Sequence, residues 1–283
     1  MSHPKLSKTN IEYGDRSWNF FPGCLHKPKG ICPVPNCWAE GMTKRQLRDF
    51  HKPHLIPELV PAPLHVKKPS VILVNFMGDI MGDWVNPNMP VGGFEGNQLV
   101  AYSITNRDGK KLWELSKIVL RIIESCPQHQ FLFLTKAPWN YKRWRPWPEN
   151  AWLGATAWDE QGLIKALYDL TEANRSIEAK LWLSVEPMYG PVVPKVWPAE
   201  WDMIRWVVVG AQSNPVRNPE VEWVEDLVVE CIKAGKPVFL KKNLVKALPQ
   251  AMPFYVPPKD LPDKGRFATI YRQEMPEELC LRC

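Results

Sequence analysis

"LWLSVEPMYGPVVPKVWPAEWDMIRWVVVGAQ", residues 181–212, holds two apolar runs joined by a proline-rich connection. Leu181–Pro187 and Ile204–Gln212 are almost continuously hydrophobic and rich in Leu, Val and Trp, the pattern of strands covered on both faces. Outward from this stretch the pattern recurs at Ser70–Phe76 (SVILVNF), Phe131–Lys136 (FLFLTK), Trp152–Ala157 (WLGATA) and Pro237–Asn243 (PVFLKKN), and Arg16–Phe21 offers a seventh run. Helical periodicity fills the gaps. Lys110–Cys126 has apolar residues at three- and four-residue spacing and ends before Pro127. Asp159–Ala173 opens with an acidic first turn, and Asn218–Gly235 has an Asn-Pro start and a glycine stop. Strands alternating with amphipathic helices predict βαβ units, a parallel sheet and the α/β class. Six or seven such strands suit a partial or complete β/α barrel better than a small doubly wound sheet. The expectation is a single domain over residues 1–283, with a core at 11–243, N-terminal elaborations through Pro69 and a C-terminal extension at 244–283.

The composition is that of ordinary globular material: 283 residues, 45% hydrophobic and 23% charged, enough to bury a substantial core. Twenty-nine prolines, spread through the connections, predict long structured loops rather than one disordered tract. The net charge of +6 is compatible with a nucleic-acid or phosphate-bearing partner and equally normal without one. The opening "MSHPKLSKTNIEYGDRSW" lacks the apolar core of a secretory peptide, and no apolar run reaches the roughly 18 residues of a membrane span. The expectation is therefore a cytoplasmic protein with no membrane partner, whose thiols stay reduced.

Three of the seven cysteines crowd into "GCLHKPKGICPVPNC": Cys24, Cys32 and Cys37. An odd total argues against a disulfide framework, so the cluster reads as metal ligation or catalysis. A structural zinc site wants four ligands, for which His26, His51, His54 or the C-x₂-C pair Cys280 and Cys283 would complete the set. A [4Fe–4S] cluster held by three thiolates instead leaves one iron open to a cofactor such as S-adenosylmethionine. On the residues alone both metals stand. Cys126 and Cys231 lie on helical patterns and read as small apolar residues.

Polar residues close almost every apolar run, where ligands of parallel α/β folds gather. Glu186 is the candidate carboxylate, with pairing to Lys136 or Lys241 as its plain structural explanation. "APWNYKRWRPWPENAW", residues 137–152, interleaves aromatics with Lys142, Arg143 and Arg145, as single-stranded nucleic-acid grips do. A proline-rich loop packing its tryptophans inward is the alternative.

Taken in order, "SWNFFPGC…C…NCWAE", "FMGDIMGDWV", "FLFLTK", "WLGATA", "LSVEPMYGPV", "WVVVGAQS" and "AGKPVFLKKN" resemble the phage gene products 37 and 68 family, proteins grouped with radical S-adenosylmethionine enzymes. The resemblance runs from Ile11 to Asn243. It implies a radical-SAM-type barrel, a [4Fe–4S] cluster on Cys24, Cys32 and Cys37, and S-adenosylmethionine across the strand ends. Gly78 and Asp79 would then meet the methionine amino group. Thr135, Ser184 and Gln212 would line the cofactor, and Glu186 and Lys136 would serve catalysis. A 5′-deoxyadenosyl radical would act on an unknown substrate, a nucleic acid or nucleotide among the options, with electrons from a flavodoxin- or ferredoxin-type donor. The rival reading from another class is a zinc-stabilised nucleic-acid-binding module without redox chemistry. Three departures from the family pattern stand out: "PVPN" lengthens the last cysteine gap, Gln212 replaces an acid, and Lys242 replaces a neutral amide.

Overall fold

The computed structural model describes residues 5–45, 49–95, 98–100, 113–174, 179–194, 198–247 and 273–281. In chain order the elements are β1 (Ser7–Lys8), β2 (Arg16–Trp18), α1 (Trp38–Arg45), β3 (Val71–Val74), β4 (Pro90–Glu95), β5 (Gln98–Val100), β6 (Trp113–Glu114) and α2 (Leu115–Glu124). They continue with β7 (Gln130–Thr135), β8 (Ala151–Ala157), α3 (Glu160–Asn174), β9 (Lys180–Val185), α4 (Pro198–Asp202) and β10 (Ile204–Val209). The series ends with β11 (Gln212–Ser213), β12 (Val216–Arg217), α5 (Val221–Lys233), β13 (Val238–Leu240) and α6 (Lys242–Ala247). Each of the seven apolar runs becomes a strand, and the three helical patterns become α2, α3 and α5. Lys110 to Leu112, at the head of the first helical pattern, and most of the 244–283 extension lie outside the described residues.

The architecture is mixed α/β. Eight strands form one sheet in the order β1-β2-β3-β7-β8-β9-β10-β13. The β2–β3, β3–β7, β9–β10 and β10–β13 pairs are parallel, and β1 runs antiparallel to β2. Strands that follow one another in the chain are neighbours in the sheet, once the short β4–β6 and β11–β12 pieces are set aside. Burial explains why the runs lack alternation. All four residues of β3 and all seven of β8 are buried, as strands covered on both faces must be.

Contacts group the chain into two compact units, Met1–Pro33 with Trp38–Leu153 and Ala173–Ala179, and Val34–Cys37 with Gly154–Glu172 and Lys180–Cys283. In the first, Trp18 packs on Phe20 and Phe131 at ring distances of 4.6 and 5.8 Å, and the apolar face of α2 (Ile118, Val119, Ile122, Ile123) is buried. In the second, Trp182 and Trp206 lie 5.3 Å apart, with Phe239 at 6.3 Å from Trp206. Each fully buried side chain of this size contributes about 1.5–3 kcal/mol. The indole N–H groups of these cores find acceptors: Trp18 donates to the Leu59 carbonyl and Trp206 to that of Glu274, both at 2.9 Å.

Helix ends follow sequence signals where one exists. Gly235, at φ +63°, closes α5. Its N–H meets the Ile232 carbonyl and that of Lys236 meets Cys231, a Schellman arrangement that needs the left-handed region. Helix α2 has no such glycine. The buried Asn150 amide instead donates to the carbonyls of Ile123, Cys126 and His129, each at 3.0 Å, and so finishes the helix from a distant loop. Asn150→Ala removes the side-chain donor from all three carbonyls, of which those of Ile123 and Cys126 keep the N–H groups of Cys126 and His129; it is expected to lower unfolding free energy by about 1 kcal/mol, read as a shifted urea midpoint at unchanged slope.

Candidate functional site

The residues singled out by the sequence fall into two groups. The first is built on the loops after β2 and β3. Asn75 takes φ 55°, a conformation open to Asn because its short polar side chain can bond locally. Its Oδ1 accepts the Phe21 N–H at 2.7 Å, and Asn19 Oδ1 accepts the Met77 N–H at 3.1 Å. The two loops are thereby laced together. Gly23 and Gly78 complete the lacing as an isolated parallel bridge. A Cβ on Gly78 would stand 2.6 Å from the Gly23 oxygen, so Gly78 serves close backbone approach. The segment that carries Cys24 is held in this way at the carboxyl end of β3.

Asp79 is the hub of this group. It is 4% exposed, yet its carboxylate is fully engaged: Oδ1 accepts the Met81 N–H at 2.9 Å, and Oδ2 accepts Thr135 Oγ1 at 2.8 Å and the Lys136 N–H at 3.1 Å. His26 Nε2 lies 2.6 Å from the same Oδ2 and donates to it. Burial pushes the Asp79 carboxyl up, but the His26 hydrogen bond and charge, then Thr135 and the Lys136 N–H, outweigh it and hold the group below the usual carboxylate range. The carboxylate that the sequence offers to an incoming ammonium is thus committed to internal donors. Thr135 is committed too, since its Oγ1 also accepts the Ala137 N–H at 2.8 Å. Lys136 keeps a half-buried side chain beside them. His26 is 2% exposed, and its Nδ1 has no hydrogen-bond partner.

Cys24, Cys32 and Cys37 are half-exposed and outside any disulfide. The His26 N–H points at Cys24 Sγ at 3.5 Å. By chemistry the three donors fit an iron–sulfur cluster or zinc. Among the described residues, however, no group of three or more His, Cys, Asp or Glu side chains converges as a metal site. Cys126 and Cys231 are buried, and burial raises the Cys126 thiol to about 11. Cys280 is disulfide-bonded, and Cys283 lies outside the described residues.

The second group lies at the ends of β8, β9, β10 and β13. Glu186 is paired with Lys241, the pairing that its plain structural explanation anticipates. Gly210 makes room for it, since a Cβ there would come 2.9 Å from the Glu186 carboxyl carbon. Ser184 and Thr156 are the penultimate residues of β9 and β8, both buried, and neither hydroxyl has a partner. Gln212 accepts from the Tyr189 hydroxyl and donates to the Pro215 carbonyl at 2.6 Å, while Arg217 stacks on Tyr189 at 4.6 Å. Asn243 pins the turn after β10 by bonding both the N–H and carbonyl of Ala211.

The aromatic–basic segment packs inward. Tyr141, Trp144, Trp147 and Trp152 are buried, so only Trp139 keeps part of its ring at the surface. Arg145 donates to the Ala173 carbonyl and Arg143 to that of Val85. A stacking platform for successive bases needs exposed rings, and this segment does not present them.

Sequence reading missed His26 as the partner of Asp79, Tyr189 as the partner of Gln212, and Thr156. The "FMGD" and "GAQ" motifs mark one side of each pair, but nothing local marks the other. The chain matches a family described as a protein of unknown function (DUF5131) over residues 112–247. No curated protein and no solved structure matches it. Among the described residues no helix is long and apolar enough to cross a membrane.

Three outcomes follow from this geometry. Asp79→Asn weakens four donors at once in a buried position and is expected to cost about 3 kcal/mol. Gly78→Ala forces the two loops apart, and limited trypsin digestion should then cut after Lys29 faster than in the wild type. Brief alkylation of the folded, reduced protein should label Cys24, Cys32 and Cys37 by mass spectrometry and leave Cys126 and Cys231 unmodified until denaturant is added.

Proposed function

We propose that the protein is an enzyme of the radical S-adenosylmethionine type on a barrel-type α/β fold. One observation carries the reading: the cysteine-bearing loop is laced to the carboxyl end of β3 and tied through His26 and Asp79 to the end of β7. Ligand chemistry in parallel α/β folds is located there. The sequential strand order supports a barrel-type winding, because doubly wound sheets reverse their order at a switch point.

In this reading Cys24, Cys32 and Cys37 hold a [4Fe–4S] cluster, which when bound supplies the electron for reductive cleavage of S-adenosylmethionine. The chain's own residues do the positioning. Asp79 keeps the His26 ring and the cysteine loop in place, so its role is support of the loop rather than contact with the methionine ammonium. Lys136 stands beside that support as a cation for a carboxylate. Ser184 and Thr156 offer unsatisfied buried hydroxyls, and the Glu186–Lys241 pair offers a carboxylate and an ammonium able to exchange partners with a polar ligand. Gln212, held by Tyr189, replaces an acid and leaves its strand end neutral. The free, half-exposed thiols of Cys24, Cys32 and Cys37 suit a reducing, cytoplasmic setting, and the disulfide at Cys280 counts against it.

The test is anaerobic reconstitution followed by iron and sulfide counts, then addition of dithionite and S-adenosylmethionine. About four irons per chain, lost when all three cysteines become Ala, together with 5′-deoxyadenosine, is the expected result. One zinc with no iron and no cleavage would replace the enzyme by the zinc-stabilised module.

A further inference from the structure

The ends of β9, β10 and β13 stand abreast. Val208 pairs with Ser184 on one side and Phe239 on the other, and Val209 pairs with Val185 and Leu240. One step further, the Gly210 N–H meets the Val185 carbonyl, the Met188 N–H meets the Gly210 carbonyl and the Lys241 N–H meets the Val209 carbonyl. Glu186, Gly210 and Lys241 therefore form the next row. Residues two apart on a strand share a face, so Ser184 lies one row beneath Glu186, on the side that carries Lys241. Gly210 stands between the two charged residues, and with no side chain there Glu186 reaches across β10 to pair with Lys241. Core packing leaves one group of this face unexplained. The Ser184 hydroxyl is buried, at 1% exposure, without a hydrogen-bond partner, and its row-mates Val208 and Phe239 carry no polar side-chain group. An alanine would escape that cost. Above it, Lys241 and Glu186 keep 17% and 23% of their side chains exposed, so a ligand can reach the pair.

We propose that this face binds the zwitterionic end of a free α-amino acid, as the substrate of the enzyme. Its role as a substrate site rests on the enzyme reading above, whereas the binding itself needs no iron. The ligand's ammonium takes the place of Lys241 on the Glu186 carboxylate, and its carboxylate takes the place of Glu186 on the Lys241 ammonium. Ser184 then donates to that carboxylate from below and gains the partner it lacks. The pair itself selects the ligand. A simple anion or cation would leave one member of a half-buried pair facing no opposite charge, which is costly. A neutral ligand would have to separate the two charges without replacing either. An α-amino acid carries both signs on one carbon and replaces both partners at once.

The probes are the standard L-α-amino acids, each at about 10 mM, added singly to the full-length protein and followed by ligand-observed NMR. The expected result is at least one that binds with a Kd of about 1 mM or tighter. Its amide and its N-acetyl derivative, each missing one charge, should bind at least roughly tenfold more weakly. Ser184→Ala should also weaken binding about tenfold while leaving the urea midpoint unchanged or raised, since it deletes a hydroxyl that has no partner in the free protein. No amino acid bound by the wild type, or one bound equally by Ser184→Ala, would overturn the proposal. Uridine bound in place of any amino acid would overturn it in favour of a nucleobase. Displacement of the amino acid by S-adenosylhomocysteine would make the face part of the cofactor's site and overturn its assignment to substrate. Iron is counted separately: an amino acid bound by a protein that takes up no iron on reconstitution would overturn the radical reading and leave the binding site standing.

Discussion

The buried carboxylate of Asp79 is the interaction on which the candidate site depends. Four donors from three separate stretches converge on it: the His26 ring, the Thr135 hydroxyl and the N–H groups of Lys136 and Met81. A buried carboxylate without such donors would be expelled or neutralised. With them it stays ionised and joins the cysteine loop, the end of β3 and the end of β7. The order is physical rather than decorative, because a short loop rich in prolines and glycines has too little apolar surface to hold itself. It must borrow rigidity from the sheet.

Close backbone approach does the rest of that work. Gly23 and Gly78 form a bridge that tolerates no Cβ at Gly78, and Asn75 accepts a left-handed backbone in order to hold Phe21. The second unit repeats the strategy at Gly210, where the missing side chain lets Glu186 lie against the turn and meet Lys241. In both units a glycine at a strand end makes space for a close approach, and opposing charge or hydrogen bonds then hold the groups brought together. The unpartnered hydroxyls of Ser184 and Thr156 are the exception, and they set the second strand-end group apart from ordinary core packing.

Much of the fold was legible because burial leaves a direct mark on sequence. A strand covered on both faces has to be almost wholly apolar, and β3, β8 and the Trp206–Val209 part of β10 read that way. Glycine at the end of α5 was equally legible, since the left-handed position has a steep residue preference. The end of α2 was not, because its carbonyls are capped by Asn150, a residue that resembles any loop asparagine until the chain folds. The strand-end candidates were legible as positions but not as roles. Glu186 showed its charge and its place, and Lys241 was one of two lysines that the sequence allowed it.

By itself the sequence determined the α/β class, the seven apolar strands and the crowding of three thiols before α1, since each follows from local composition and period. Tertiary structure alone decided the use of those residues. It turned Asp79 from an open acceptor into an internal hub, folded the aromatic–basic segment into the core, and left Trp38 outside. The reason is range. His26 and Asp79 are 53 positions apart, and Glu186 and Lys241 are 55 apart. Hydrogen bonds and ion pairs act over a few ångströms, so only the path of the folded backbone selects which distant groups share one.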